Sequence, residues 1–201
     1  MSLRPSDILD FWFEGDTSER RKKWFDKNTE FDGACARFAA AIRDARAHCF
    51  DYWTLTPRGS LALIILLDQL SRNVFRGSAE AFAADPLARE LARGMKAGGF
   101  DVTLTPFERM FVYLPFEHSE TIEDQNESVR LFETLRDALS PETIDHAHRH
   151  RDVIPSVRPV SASQRRAGPG RYTRRGSLPR ATWCRLLGRL HVHNRRRVLA
   201  L

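Results

Sequence analysis

Residues 61–76 read Leu-Ala-Leu-Ile-Ile-Leu-Leu-Asp-Gln-Leu-Ser-Arg-Asn-Val-Phe-Arg, and the first half of this run is apolar on every side. A helix with no face to give to water belongs in the middle of a fold. The second half carries Asp68, Gln69, Arg72, Asn73 and Arg76. Asp68 and Arg72 stand four residues apart, as do Gln69 and Asn73, so a regular helix puts each pair on one face. A buried rod that ends in polar groups demands partners for them. The rest of the chain must cover one half and answer the other.

Helix signals dominate what surrounds it. Thr56-Pro57, Asp85-Pro86, Thr105-Pro106 and Ser140-Pro141 each set a capping side chain just before a proline. The side-chain oxygen accepts an orphan backbone N–H, and proline needs no N–H in a first turn. Each cap contributes roughly 1 kcal/mol. These starts predict helices over about 58–73, 86–97, 106–114 and 141–154, with Gly98-Gly99 closing the second. Ser6-Asp7 can cap a first helix, and Arg20 to Lys23 precede a docking pair, Trp24-Phe25. Phe31, Cys35, Phe38, Ile42, Ala45 and Cys49 keep a helical interval over about 29–49, and another helix is expected over 122–139. No period-two apolar stretch supports a strand. The expected fold class is all-α, helix pairs stacked on a central buried helix as a superhelix or bundle.

A chain of 201 residues suits one core of moderate size. No run of eighteen apolar residues occurs, so no membrane-spanning helix is expected. The first residues lack the apolar core of a signal peptide. Cys35, Cys49 and Cys184 have no metal-like spacing, and an odd, sparse count suits reduced thiols in a cytoplasm. The net charge of +6 is an average of two unlike parts. Residues 1–154 hold 20 Lys+Arg against all 26 Asp+Glu, a balance of −6, whereas residues 155–201 hold 12 Arg and no acid. This divides the chain into a helical domain, 1–154, and an Arg-rich tail, 155–201, expected to be largely disordered. Nucleic acid would meet that tail only non-specifically, through its arginines.

A second polar cluster follows the helix over 106–114. Tyr113-Leu114-Pro115-Phe116-Glu117-His118-Ser119-Glu120 leads into Asp124-Gln125, and Pro115 should end or kink the helix. Glu117, His118 and Glu120 can answer Arg72 and Arg76. One reading is a buried ion-pair and capping network, with Ser119 capping the next helix. The other is a pocket that takes a small anionic ligand, or a protein segment, on Asp68, Gln69, Arg72, Asn73, Arg76, Glu117, His118, Glu120, Gln125 and His150. An enzyme in that pocket would use His118 or Glu117 as acid or base and the arginines as anion clamps. Glu117, His118, Glu120 and Asp68 offer oxygen and nitrogen donors, but no His-x-x-x-His or Glu-x-x-His pair stands among them, so no metal site is expected. Of His146, His148 and His150, only the first and last share a helix face, and a satisfied or solvated ring is the expectation for each. There is no Gly-rich phosphate loop, Gly-x-Ser-x-Gly or Cys-x-x-Cys, and hence no cofactor motif.

Several of these residues also carry a resemblance. Asp7-Ile8-Leu9-Asp10-Phe11-Trp12-Phe13, Trp24-Phe25, and Leu-Leu-Asp-Gln-x-x-Arg-Asn-x-Phe-Arg-Gly within 61–77 are its first part. Tyr113-Leu114-Pro115, His118-Ser119-Glu120, Asp124-Gln125, and His150 with Ile154 are its second. Over residues 5–154 the chain resembles an uncharacterised bacterial family, domain-of-unknown-function family 924. The resemblance implies a tetratricopeptide-like all-α fold and a shared polar site, and it implies no reaction.

That family pattern calls for Arg-Phe-Gly-Arg-Phe-Pro-His-Arg-Asn soon after Ile154, where this chain reads Pro-Ser-Val-Arg-Pro-Val-Ser-Ala-Ser-Gln-Arg-Arg. Synonymous codons exist for residues 155–166 that, read one base later, encode Arg-Arg-Phe-Gly-Arg-Phe-Pro-His-Arg-Asn. A one-base frameshift near codon 155 accounts for the tail. Sequencing the DNA there should find the motif in a neighbouring frame; its absence from every frame rules the frameshift out.

Overall fold

The structure, a computed structural model, describes residues 3–18, 21–25 and 27–154. The expectations for the tail, for Cys184 and for the frame of residues 155–166 lie outside the described residues. Among the described residues every regular element is helical. No described helix is long and apolar enough to cross a membrane.

Helix α1 (Pro5–Phe13) buries Ile8, Leu9, Trp12 and Phe13. Asp7 does not cap it from outside. It sits inside the first turn and accepts the Arg4 backbone N–H at 2.8 Å. A short 3₁₀ turn, Lys22–Trp24, docks Trp24, whose indole N–H donates to the Trp12 carbonyl at 3.0 Å. Trp12, Phe13 and Trp24 each meet the Phe111 ring edge-on, at 5.5, 5.6 and 4.9 Å between centroids. Such edge-to-face pairs place a ring's positive rim on its neighbour's negative face.

The helix expected over 29–49 is shorter and divided. Asn28 caps α2 (Thr29–Cys35) by accepting the Phe31 N–H at 3.0 Å. A 3₁₀ turn over Ala36–Phe38 leads into α3 (Ala39–Arg46). His48, at φ 64°, takes the left-handed conformation soon after α3 ends. Phe31, Cys35, Phe38, Ile42 and Ala45 still form one buried stripe.

The central rod is confirmed as buried, and its helix is not uniform. Thr56 caps α4 (Pro57–Ile64) by accepting the Gly59 N–H at 3.1 Å. A π-helical turn over Ile65–Leu70 follows, and then α5 (Ser71–Val74). Every residue from 59 to 71 is buried. The π turn closes i→i+5 rings, so side chains beyond it are rotated from where an α-helix would set them. The Ser71 hydroxyl donates to the Leu66 carbonyl, five residues back, at 3.4 Å.

Helix α6 (Asp85–Ala97) packs on α4 and α7. Its start departs from the cap pattern: Asp85 lies within the helix and makes no cap bond. At its other end Gly99, at φ 67°, supplies the expected left-handed stop. The Phe100 N–H returns to the Met95 carbonyl at 2.9 Å and the Gly99 N–H to Lys96 at 3.1 Å. Thr105 and Glu108 form a reciprocal capping box at the start of α7 (Pro106–Glu117). That helix runs through Pro115 instead of stopping at it. Proline removes one N–H, yet Leu114, Phe116 and Glu117 are all buried, so packing holds the last turn in place. Thr121, not Ser119, caps α8 (Ile122–Glu133), which ends before the expected Leu139. Ser140 caps α9 (Pro141–Val153). Helix α7 packs on α8, and α8 on α9.

Gly59 is held by close approach. A Cβ there would lie 2.2 Å from the Trp53 carbonyl oxygen and 2.8 Å from Thr56 Oγ1. Gly59→Ala should therefore cost about 1–3 kcal/mol in urea unfolding, as overpacking does; an unchanged midpoint would contradict the packing of α4 on the segment before it.

Candidate functional site

The polar end of the rod and the end of α7 do meet, through Asp68. Its side chain has 0 % exposure. Oδ1 accepts from His118 Nδ1 at 2.8 Å and from an Arg72 terminal nitrogen at 3.4 Å, and Oδ2 accepts from Gln69 Nε2 at 2.6 Å. Burial pushes this carboxyl up, but His118, Arg72 and Gln69 outweigh burial and hold it below its ordinary range. Arg72 also reaches Asp85 Oδ2 at 3.0 Å and lies 5.1 Å over the Phe82 ring. Burial raises Asp85, with Arg72 opposing and Asp68 adding to the rise. The two carboxylates share one guanidinium, and their environments pull them apart.

Sequence pairing by sign alone gave the wrong partners. Glu117 and Glu120 do not answer Arg72 and Arg76. Arg72 takes Asp68 and Asp85. Arg76 grips Asp32 of α2 with Nε at 2.7 Å and a second nitrogen at 3.0 Å, and Asn73 donates to the same carboxylate at 2.8 Å. That Arg76 fork holds Asp32 below its ordinary range, with Asn73 assisting. Gln69, inside the π turn, and Asn73, in α5 beyond it, thus serve different carboxylates. Glu120 is exposed. Gln125 is buried behind the site, and its Nε2 donates to the Glu117 and Ser119 carbonyls at 2.7 and 2.6 Å. It clamps the turn that carries His118.

Glu117 turns to α9. Its side chain is 2 % exposed, and Oε1 lies 2.9 Å from His146 Nδ1 and 3.7 Å from His150 Nε2. His150 falls below its ordinary value, first because it is partly buried, with Glu117 opposing and His146 reinforcing. A cavity of about 140 Å³ opens here, lined on its polar side by Glu117, His118, Glu142, His146 and His150 and on its apolar side by residues that include Met110, Leu114 and Phe132. Sequence reading missed Asp32, Asp85 and His146 as partners. Only His146 left a signal, in its four-residue spacing from His150 on one face.

A helical protein with a charged spine buried between a central rod and the end of α7 is the class that this geometry defines. The chain belongs to the family described as bacterial protein of unknown function (DUF924), whose model matches residues 8–157. A solved protein of unknown function from Agrobacterium tumefaciens is similar to it at 38 % identity, over 75 % of this chain and 81 % of that one, with a TM-score of 0.68. No curated protein matches the chain.

Asp68→Asn would leave Arg72 and His118 facing a neutral group inside the protein. The loss should be about 3–5 kcal/mol in urea unfolding at neutral pH. Because the Asp68 pKa is lowered by folding, its contribution is present above about pH 4 and fades as pH falls through the folded value. The gap between wild type and Asp68→Asn should therefore narrow on the acid side; a gap constant from neutral pH to below pH 4 would contradict the assignment.

Proposed function

We propose that the helical domain, residues 1–154, binds a small ligand in the cavity between α7 and α9, with His118 as the polar group that meets it. One observation carries this reading: fully buried Asp68 holds His118 by Nδ1 while the same ring lines the cavity. A histidine fixed at one nitrogen presents the other, Nε2, in a set direction, and Nε2 makes no hydrogen bond among the described residues. Sinking a carboxylate to orient a ring is costly, and that cost suits a site that needs the ring oriented.

The cavity is well below the roughly 300–1,000 Å³ of drug-sized sites. Its lining suits a compact molecule with an apolar body and one anionic or hydroxyl end. Arg72 and Arg76 are engaged by Asp85 and Asp32, so recognition of the polar end passes to the imidazoles. The Asp68–His118 pair also favours a second reading, acid–base catalysis on that ligand at Nε2. A tetratricopeptide-like stacking, with a groove for a protein segment, finds support in α7 packing on α8 and α8 on α9. Against a protein segment, the large exposed apolar side chains Phe25, Leu55, Phe82, Val102 and Val153 sit on five different elements or turns.

The test is thermal shift with short aliphatic mono- and dicarboxylates and inorganic phosphate. At least one should raise the wild-type melting temperature, and His118→Gln, which keeps a donor for Asp68, should abolish that shift while leaving the unliganded melting temperature within about 2–4 °C, a change of roughly 1 kcal/mol. A shift that survives in His118→Gln, or no shift with any probe, overturns the reading.

A further inference from the structure

We propose that Glu117, His146 and His150 form a site for one divalent transition-metal ion, with Zn²⁺ the closest chemical match. The three residues come from the last turn of α7 and one face of α9. His146 and His150 are four residues apart on α9, with ring centroids 4.7 Å apart. They turn different nitrogens, Nδ1 and Nε2, toward the same Glu117 oxygen. The candidate donor atoms of all three lie within 4.8 Å of one another. Around a tetrahedral ion with bonds of about 2.0–2.1 Å, donors sit roughly 3.3 Å apart. The observed 2.9 and 3.7 Å from the Glu117 oxygen straddle that spacing.

The donor chemistry narrows the ion. Two imidazoles and a carboxylate are too rich in nitrogen for Mg²⁺ or Ca²⁺, which take oxygen, and they suit Zn²⁺. Three protein donors leave a coordination position open. The trio lines the cavity, so that position would face the space assigned above to the ligand. His118 lines the same space and is anchored by Asp68, outside the donor trio. A hydroxyl or carboxylate on the ion would lie in the cavity that His118 also lines. This role for the ion rests on the cavity reading; binding of the ion itself requires only the trio.

Titration of the full chain, stripped with EDTA and desalted, with ZnCl₂ by calorimetry tests the site, and Co²⁺ absorption reports its coordination. We expect one Zn²⁺ per chain, and a loss of about 100-fold or more in affinity for His146→Ala and for His150→Ala, with unchanged far-ultraviolet circular dichroism. These two half-exposed histidines avoid the folding risk of replacing Glu117. His118→Gln should leave Zn²⁺ affinity within about threefold, since its ring is not a donor in the trio. Binding absent in the wild type, undiminished in His150→Ala, or lost on replacing His191 and His193 instead overturns the proposal. A chain that takes Zn²⁺ but none of the carboxylates or phosphate sinks the ligand reading alone; one that takes a carboxylate in EDTA and no Zn²⁺ sinks the metal site alone.

Discussion

A carboxylate without exposed surface sits where the oily rod of the molecule turns polar, and much of the surrounding arrangement follows from satisfying it. Asp68 could not remain charged inside the protein without donors at both oxygens. Gln69 and Arg72 come from its own helix, and His118 comes from just past the end of α7. Arg72 then needs a second anion, which Asp85 provides from the first turn of α6. One buried charge therefore ties the central rod to both helices. The tie explains why the turn after α7 is so heavily clamped: Gln125 binds two of its carbonyls, and Ser119 donates to Asp124 at 2.7 Å, itself paired with Arg89 and Arg93.

The π turn belongs to the same device. An α-helix through 65–70 would keep Gln69 and Asn73 on one face. The wider turn lets Gln69 fold back on Asp68 while Asn73 and Arg76 face Asp32 of α2. Insertions of this kind recur at functional sites because they re-aim side chains without breaking the rod. Here the turn divides the polar end into two salt-bridge systems, and only the one built on Asp68 reaches the cavity.

Asp85 and Pro115 show where local rules yield. Asp85 stands before a proline in an ideal capping context, yet its carboxylate goes to Arg72 and leaves the cap unmade. A cap contributes about 1 kcal/mol, less than leaving a largely buried guanidinium short of a partner would cost. Pro115 should stop a helix, yet α7 continues because its last residues are packed on every side. Three of the four Pro-linked starts, at Thr56, Thr105 and Ser140, form as their residues dictate, since nothing at those positions competes.

Periodicity, caps and the apolar run were enough to determine that the chain is helical, where most helices begin, and that residues 61–70 lie at the centre. These are short-range properties, decided by backbone hydrogen bonding and by which faces can meet water. Gathering Asp68 and His118 at one place was also legible, as two polar clusters that both needed partners. Which acid takes which base was not. Opposite charges attract irrespective of their position along the chain, so Glu117 could be matched on paper to Arg72, although in space it faces His146 and His150. Only the docking of α7 against α9, and the extra residue in the π turn, decided those pairs, because they set distances between groups that sequence separation leaves free.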